Sequence, residues 1–144
     1  MYIFKHPGVG GEVTWHTDHT FLWTEPRSVM GFWLGIDDAT TENGCLWAIP
    51  GGHKIPVKSR FVRDGDSTRT DVFDDTPYPA ENAVPLETTS GTLVLLDGLL
   101  PHWSDTNRSA LPRQAFTLHI VDAAARWDEA NWLQRPPAAP FRGF

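Results

Sequence analysis

A chain of 144 residues is the size of one domain, and 40% hydrophobic residues, with seven Trp and eight Phe, give it material for a core. A formal charge of −6 and a pI near 5.4 exclude the basic stripe that a nucleic-acid partner demands. The lone Cys45 excludes an internal disulfide, no apolar run reaches membrane-spanning length, and Met1-Tyr2-Ile3-Phe4-Lys5 lacks the layout of a signal peptide. The expectation is one cytoplasmic domain over 1–144, with no membrane partner.

Short apolar runs punctuated by Gly, Pro, Asn and Asp predict many short strands. In chain order they fall near Met1–Lys5, Glu12–Trp15, Val29–Ile36, Cys45–Ile49, Thr92–Leu96, Leu99–Trp103 and Gln114–Val121. Pro7-Gly8 with Gly10-Gly11 marks a turn before the second run, and Glu42-Asn43-Gly44 another before Cys45. The Asp64–Val84 stretch is acidic, carries Pro77 and Pro79, and lacks apolar periodicity; it reads as a solvated insertion. Lys54, Lys58, Arg60, Arg63 and Arg69 would alternatively make it a lid that meets an acidic substrate. Only Arg126–Gln134 has helical spacing, through Trp127, Ala130 and Leu133, and Pro136-Pro137 would end that helix. The fold class is mainly β, an antiparallel sandwich or barrel with few helices.

The chemistry is concentrated in His16-Thr17-Asp18, with His102 and Arg113 far downstream. Residues i and i+2 of a strand point to the same side, so His16 and Asp18 can bind one metal while Thr17 faces away. Two imidazoles and one carboxylate suit Fe(II) and leave coordination positions open for other ligands and O2. Six His and twelve Asp in this length give roughly 0.5 such tripeptides by chance, so the motif needs its context. Without that context, a strand end with a satisfied histidine explains it equally well. A zinc hydrolase fits the ligand count but lacks a general base and has no use for Arg113.

The context comes from Asn43–His53, Gly91–Gly98, Pro101–Ser104 and Arg113–His119. Together with Met1–Lys5, Gly11–Asp18, Phe21–Pro26, the wider Asp38–His53 stretch and Asn131–Gln134, these segments resemble the phytanoyl-CoA dioxygenase family of Fe(II)/2-oxoglutarate oxygenases. The resemblance implies a double-stranded β-helix of the jelly-roll, cupin-like kind. His16, Asp18 and His102 correspond to the iron ligands, and Arg113 to the residue that pairs with the far carboxylate of 2-oxoglutarate. Ser104 corresponds to a hydroxyl donor to that carboxylate, with a turn former as the alternative. Lys5 and Trp33 correspond to residues lining the co-substrate pocket, Trp33 fitting a core role equally well. His53 matches the family's Pro-Gly-x-His turn, while His6, His19 and His119 carry no assigned role.

Under that resemblance the cofactors are Fe(II), 2-oxoglutarate and O2. The reaction is hydroxylation of a small organic substrate coupled to decarboxylation of 2-oxoglutarate to succinate; with Asp18 present, halogenation is not expected. Thr17 stands where the family commonly has glutamine, and Gly52 where it has serine or threonine, which bears on substrate choice. Family members carry further helices and strands ahead of the segment matching Met1–Lys5. The expectation is therefore an N-terminally incomplete domain whose open apolar face promotes self-association. The competing hypothesis is a β-helix module that binds a metal or ligand without turnover.

Overall fold

Short runs rich in apolar and aromatic residues build two four-stranded antiparallel sheets that face each other across one cavity. The computed structural model describes residues 1–143. In chain order the strands are β1 (Tyr2–Lys5), β2 (Val13–His16), β3 (Thr24–Glu25), β4 (Met30–Gly35), β5 (Leu46–Ala48), β6 (Ser59–Asp64), β7 (Ser67–Val72), β8 (Val84–Leu86), β9 (Leu93–Asp97), β10 (His102–Ser104), β11 (Arg113–Ile120) and β12 (Arg126–Trp127). One sheet runs β1-β11-β4-β9, the other β2-β10-β5-β8, and two-stranded ribbons pair β12 with β3 and β6 with β7. This is the expected mainly β jelly roll. The helical content among the described residues is three short 3-10 turns, at Asp18–Thr20, Gly52–Lys54 and Ala80–Asn82. None of these is long and apolar enough to cross a membrane.

Each of the seven expected strands has a counterpart, the largest difference being at Leu99–Trp103, where pairing starts only at His102. The core joins both sheets, with Trp33, Leu96 and Ala115 from the first packed with Leu46 of the second and with Ala39 and Cys45. On β11 the alternation buries Arg113, Ala115 and Thr117 and exposes Phe116 and Leu118. Tyr2, Phe4, Phe116, Leu118, Leu93 and Leu95 are 45–56% exposed and make the outer side of the first sheet an apolar surface. The register places Tyr2 opposite Phe116, so this surface is continuous across strands.

Two expectations are corrected. Arg126–Gln134 is not a helix but the short strand β12 followed by turns. Here polar side chains compete with the helical ladder. Asn131, fully buried, bonds the Trp23 backbone in both directions, at 3.0 and 2.9 Å. Asp128 accepts the Ala130 N–H, and Gln134 donates to the carbonyls of Asp128, Glu129 and Asn131. The insertion, for its part, opens with a hairpin, β6 and β7, joined at Gly65-Asp66 with Gly65 at φ +61. Of Lys54, Lys58, Arg60, Arg63 and Arg69, four are already engaged. Lys58 pairs with Asp74, Arg60 with Asp128 at 2.5 Å, and Arg69 with Asp64 and Asp71. Arg63 donates to the Trp132 carbonyl at 2.9 Å.

Candidate active site

His16 ends β2 and His102 begins β10, and the antiparallel register sets them directly opposite each other, rings 4.3 Å apart. Strand pairing thus joins two residues that the sequence keeps far apart. Asp18 lies just past the strand, as the first residue of a 3-10 turn. Thr17 keeps extended angles (φ −116, ψ 143), so the two-residue periodicity carries through and Asp18 turns to the same side as His16. Thr17 does face away, but into the protein rather than to solvent, where its hydroxyl meets that of Thr20 at 3.0 Å.

The donor set is prepared for a metal. The Nδ1 of His16 lies 2.8 Å from the Thr14 carbonyl and that of His102 2.9 Å from the Leu100 carbonyl. A carbonyl only accepts, so each Nδ1 carries the proton and each Nε2 presents a lone pair. Both Nε2 atoms face Oδ1 of Asp18, at 3.9 and 3.8 Å, too long for hydrogen bonds but spaced to share an ion. Ligand atoms of His16, Asp18 and His102 all lie within 4.8 Å of one another. Burial, and then the neighbouring His102, hold His16 below the usual imidazole range, keeping it neutral. Burial alone would push Asp18 up, but the neighbouring His119 above all holds it below the usual carboxylate range. Its Oδ2 is buried without a partner, a polar atom that a cation nearby would stabilise.

The second pole is Arg113, at the start of β11 and 1% exposed. Its Nε and Nη1 have no hydrogen-bond partner, and its guanidinium sits 5.6 Å from the Trp33 ring. Burial lowers its pKa to about 10, the mark of a cation without a counterion. Arg113, Trp33, Ser104 and the His16, Asp18, His102 trio line one cavity of about 420 Å3. Lys5 is not in that lining. Its ammonium is turned to the carbonyls of Gly11, Asp105 and Ser104, at 2.6, 2.6 and 3.3 Å. Burial and the nearby Arg113 lower its pKa to about 8.

The sequence matches the phytanoyl-CoA dioxygenase (PhyH) family model over residues 1–115. The chain belongs to the phytanoyl-CoA dioxygenase family. It is 51% identical to phytanoyl-CoA dioxygenase 1 of Oryza sativa subsp. japonica, over 95% of this chain and 50% of that protein. It is 44% identical to phytanoyl-CoA dioxygenase domain-containing protein 1 of Mus musculus, over 98% of this chain and 50% of that one. The chain therefore spans about half the length of the curated relatives it matches. Among solved structures, EvdO2 from Micromonospora carbonacea var. aurantiaca complexed with 2-oxoglutarate aligns with a TM-score of 0.67 and 27% identity, covering 98% of this chain and 56% of that one.

Within this family site, two residues escaped the sequence argument. His119 lines the cavity and brings Nε2 to 3.2 Å from Asp18 Oδ1. Counting in twos along β11 from Arg113 leads to Thr117 and His119, both in the lining, and that period was the available signal. Gly31 of β4 is the other: a Cβ there would stand 2.7 Å from Asp18 Oδ2. His53 sits exposed in the Gly52–Lys54 turn, away from the cavity. His19, next to Asp18, is fully buried against Trp23, the tilted rings having centroids 4.6 Å apart, and neither ring nitrogen has a partner.

Proposed function

We propose that this chain carries the catalytic β-helix of an Fe(II)- and 2-oxoglutarate-dependent oxygenase that hydroxylates a small, uncharged, apolar substrate. The observation that carries this is Arg113: a buried guanidinium with two unpartnered nitrogens, in the same cavity as two Nε2 lone pairs and a carboxylate. A bare metal-binding module or a zinc hydrolase has no use for such a cation. Fe(II) held by His16, Asp18 and His102 would supply the redox chemistry that couples O2 use and decarboxylation of 2-oxoglutarate to succinate with hydroxylation of a C–H bond.

The chain's own residues position and enclose. Arg113 offers two parallel N–H donors to the far carboxylate of 2-oxoglutarate, and Ser104, buried on the same side of β10 as His102, adds a hydroxyl. Trp33 walls the guanidinium and excludes water from it. Lys5 acts indirectly, tying β1 to the Ser104 and Asp105 carbonyls.

The rest of the lining favours an apolar substrate, with Ile3, Val13, Leu46 and Leu96 among its walls. The rice relative's name points to an acyl-CoA. Coenzyme A brings several phosphates, and here the hairpin cations are paired with carboxylates of this chain or bound to a carbonyl. The exposed apolar side of the first sheet supports self-association, which would show as a species larger than 16.1 kDa in sizing experiments.

Anaerobic titration with Fe(II) and then 2-oxoglutarate tests the proposal. The expected result is saturable binding with the weak visible charge-transfer band of the chelate, and succinate formation when air is admitted. Metal binding with no band and no 2-oxoglutarate affinity would leave the non-catalytic module as the explanation.

A further inference from the structure

Three neighbours in register across the first sheet, His119 on β11, Gly31 on β4 and Leu96 on β9, form a row. The middle position has no side chain, so the row is a slot with His119 as one wall and Leu96 as the other. The Asp18 carboxylate, reaching over from the turn after β2, enters this slot. A Cβ built at Gly31 would lie 2.7 Å from Asp18 Oδ2, 3.5 Å from Leu96 Cβ and 3.6 Å from His119 Cδ2. The His119 Nε2 stands 3.2 Å from Oδ1, the shortest of the three imidazole approaches to that atom, while His16 and His102 keep 3.9 and 3.8 Å from it.

We propose that His119 is a positioning residue: it donates a hydrogen bond to Asp18 Oδ1 within the Gly31 slot and fixes the carboxylate for the metal without ligating it. His119 stands outside the group of ligand atoms that all lie within 4.8 Å of one another. An ionised carboxylate oxygen has lone pairs for both a metal and an N–H. Partners of this kind set the orientation of a ligand that the chain alone would leave free to rotate. Asp18 sits on a three-residue turn, outside the strand pairing that sets His16 opposite His102.

The inference rests on the site being an Fe(II) centre, and the test separates the two. Fe(II) affinity is measured by anaerobic titration for the wild type and for His119→Leu, His119→Gln, Gly31→Ala and His102→Ala, with thermal unfolding as the check on folding. His119→Leu should lose about 10–100-fold in affinity, the usual effect of removing a ligand's hydrogen-bond partner. His119→Gln keeps an N–H donor and should recover most of that loss. Gly31→Ala closes the slot and should reproduce the loss with His119 intact, which keeps the inference testable if His119→Leu does not fold. Wild-type affinity in His119→Leu or in Gly31→Ala would overturn the proposal. A loss in both His119 variants as deep as in His102→Ala would make His119 a ligand and overturn it equally. A wild type that takes up no Fe(II) would instead sink the proposed function itself.

Discussion

The cavity and the β6–β7 hairpin use the same side-chain types to opposite ends. At the hairpin, Lys58, Arg60 and Arg69 each meet a carboxylate of this chain. In the cavity, Arg113 is 1% exposed and meets none, and Asp18 Oδ2 is equally alone. Burying a charge without a partner is unfavourable, so a fold keeps such a group only where a ligand completes it. Charge alone therefore says little about function; charge that is both buried and unmatched marks the site.

The largest expected effect breaks the cavity side of this contrast. His102→Ala, His16→Ala or Asp18→Ala each removes one of the three proposed protein ligands, and elemental analysis of anaerobically loaded protein should find iron largely gone. Wild-type stoichiometry in any of them would sink the assignment. Next, Arg113→Ala should weaken 2-oxoglutarate binding by about 2–5 kcal/mol, as expected for truncating one partner of a buried charge pair, with iron binding retained. Calorimetry would reveal an unchanged affinity if another residue grips the far carboxylate.

His19 sharpens the comparison, being buried and unpartnered but uncharged. Burial first, and then Arg27, lower its pKa from 6.5 to about 4. Above pH 6.5 both folded and unfolded chains hold it neutral. As pH falls toward 4 the unfolded chain takes up the proton first, so stability drops, by up to about 3 kcal/mol at the lower limit. His19→Phe should flatten the dependence of Tm on pH between 6.5 and 4; an unchanged slope would assign the acid sensitivity to other groups. At the hairpin the smallest effect is expected. Arg69→Ala removes an exposed cation, and iron and 2-oxoglutarate affinities should match the wild type. A marked fall in either would show that the hairpin reaches the chemistry.

Part of this site was legible because it follows from period: His16 and Asp18 share a side through local backbone geometry. His102 and Arg113 carry no such signal and were reached through the resemblance to the family. What remained hidden depends on register or on where a long side chain ends. Nothing local reveals that Lys5 turns its ammonium to three carbonyls rather than to the cavity. His119 was within reach of the same two-residue count but is an ordinary residue until register sets it beside Gly31. The hairpin was missed because β7 is polar on both faces and mostly exposed, which erases the period that marks a half-buried strand. The expected helix at Arg126–Gln134 failed for the opposite reason. Its apolar spacing was real, but buried Asn131 held the chain in a turn.

The two Nδ1–carbonyl bonds at Thr14 and Leu100 have a kinetic consequence. Each ring has its tautomer and orientation chosen by folding, so an arriving ion meets a jaw already set and need not drive out a proton from His16 at neutral pH. Unlike a zinc finger, whose chain collapses only around its metal, this framework should release its ion to a chelator and stay folded. Reloading would then run at the pace of encounter and dehydration, and the empty state would be a reversible intermediate rather than a damaged one.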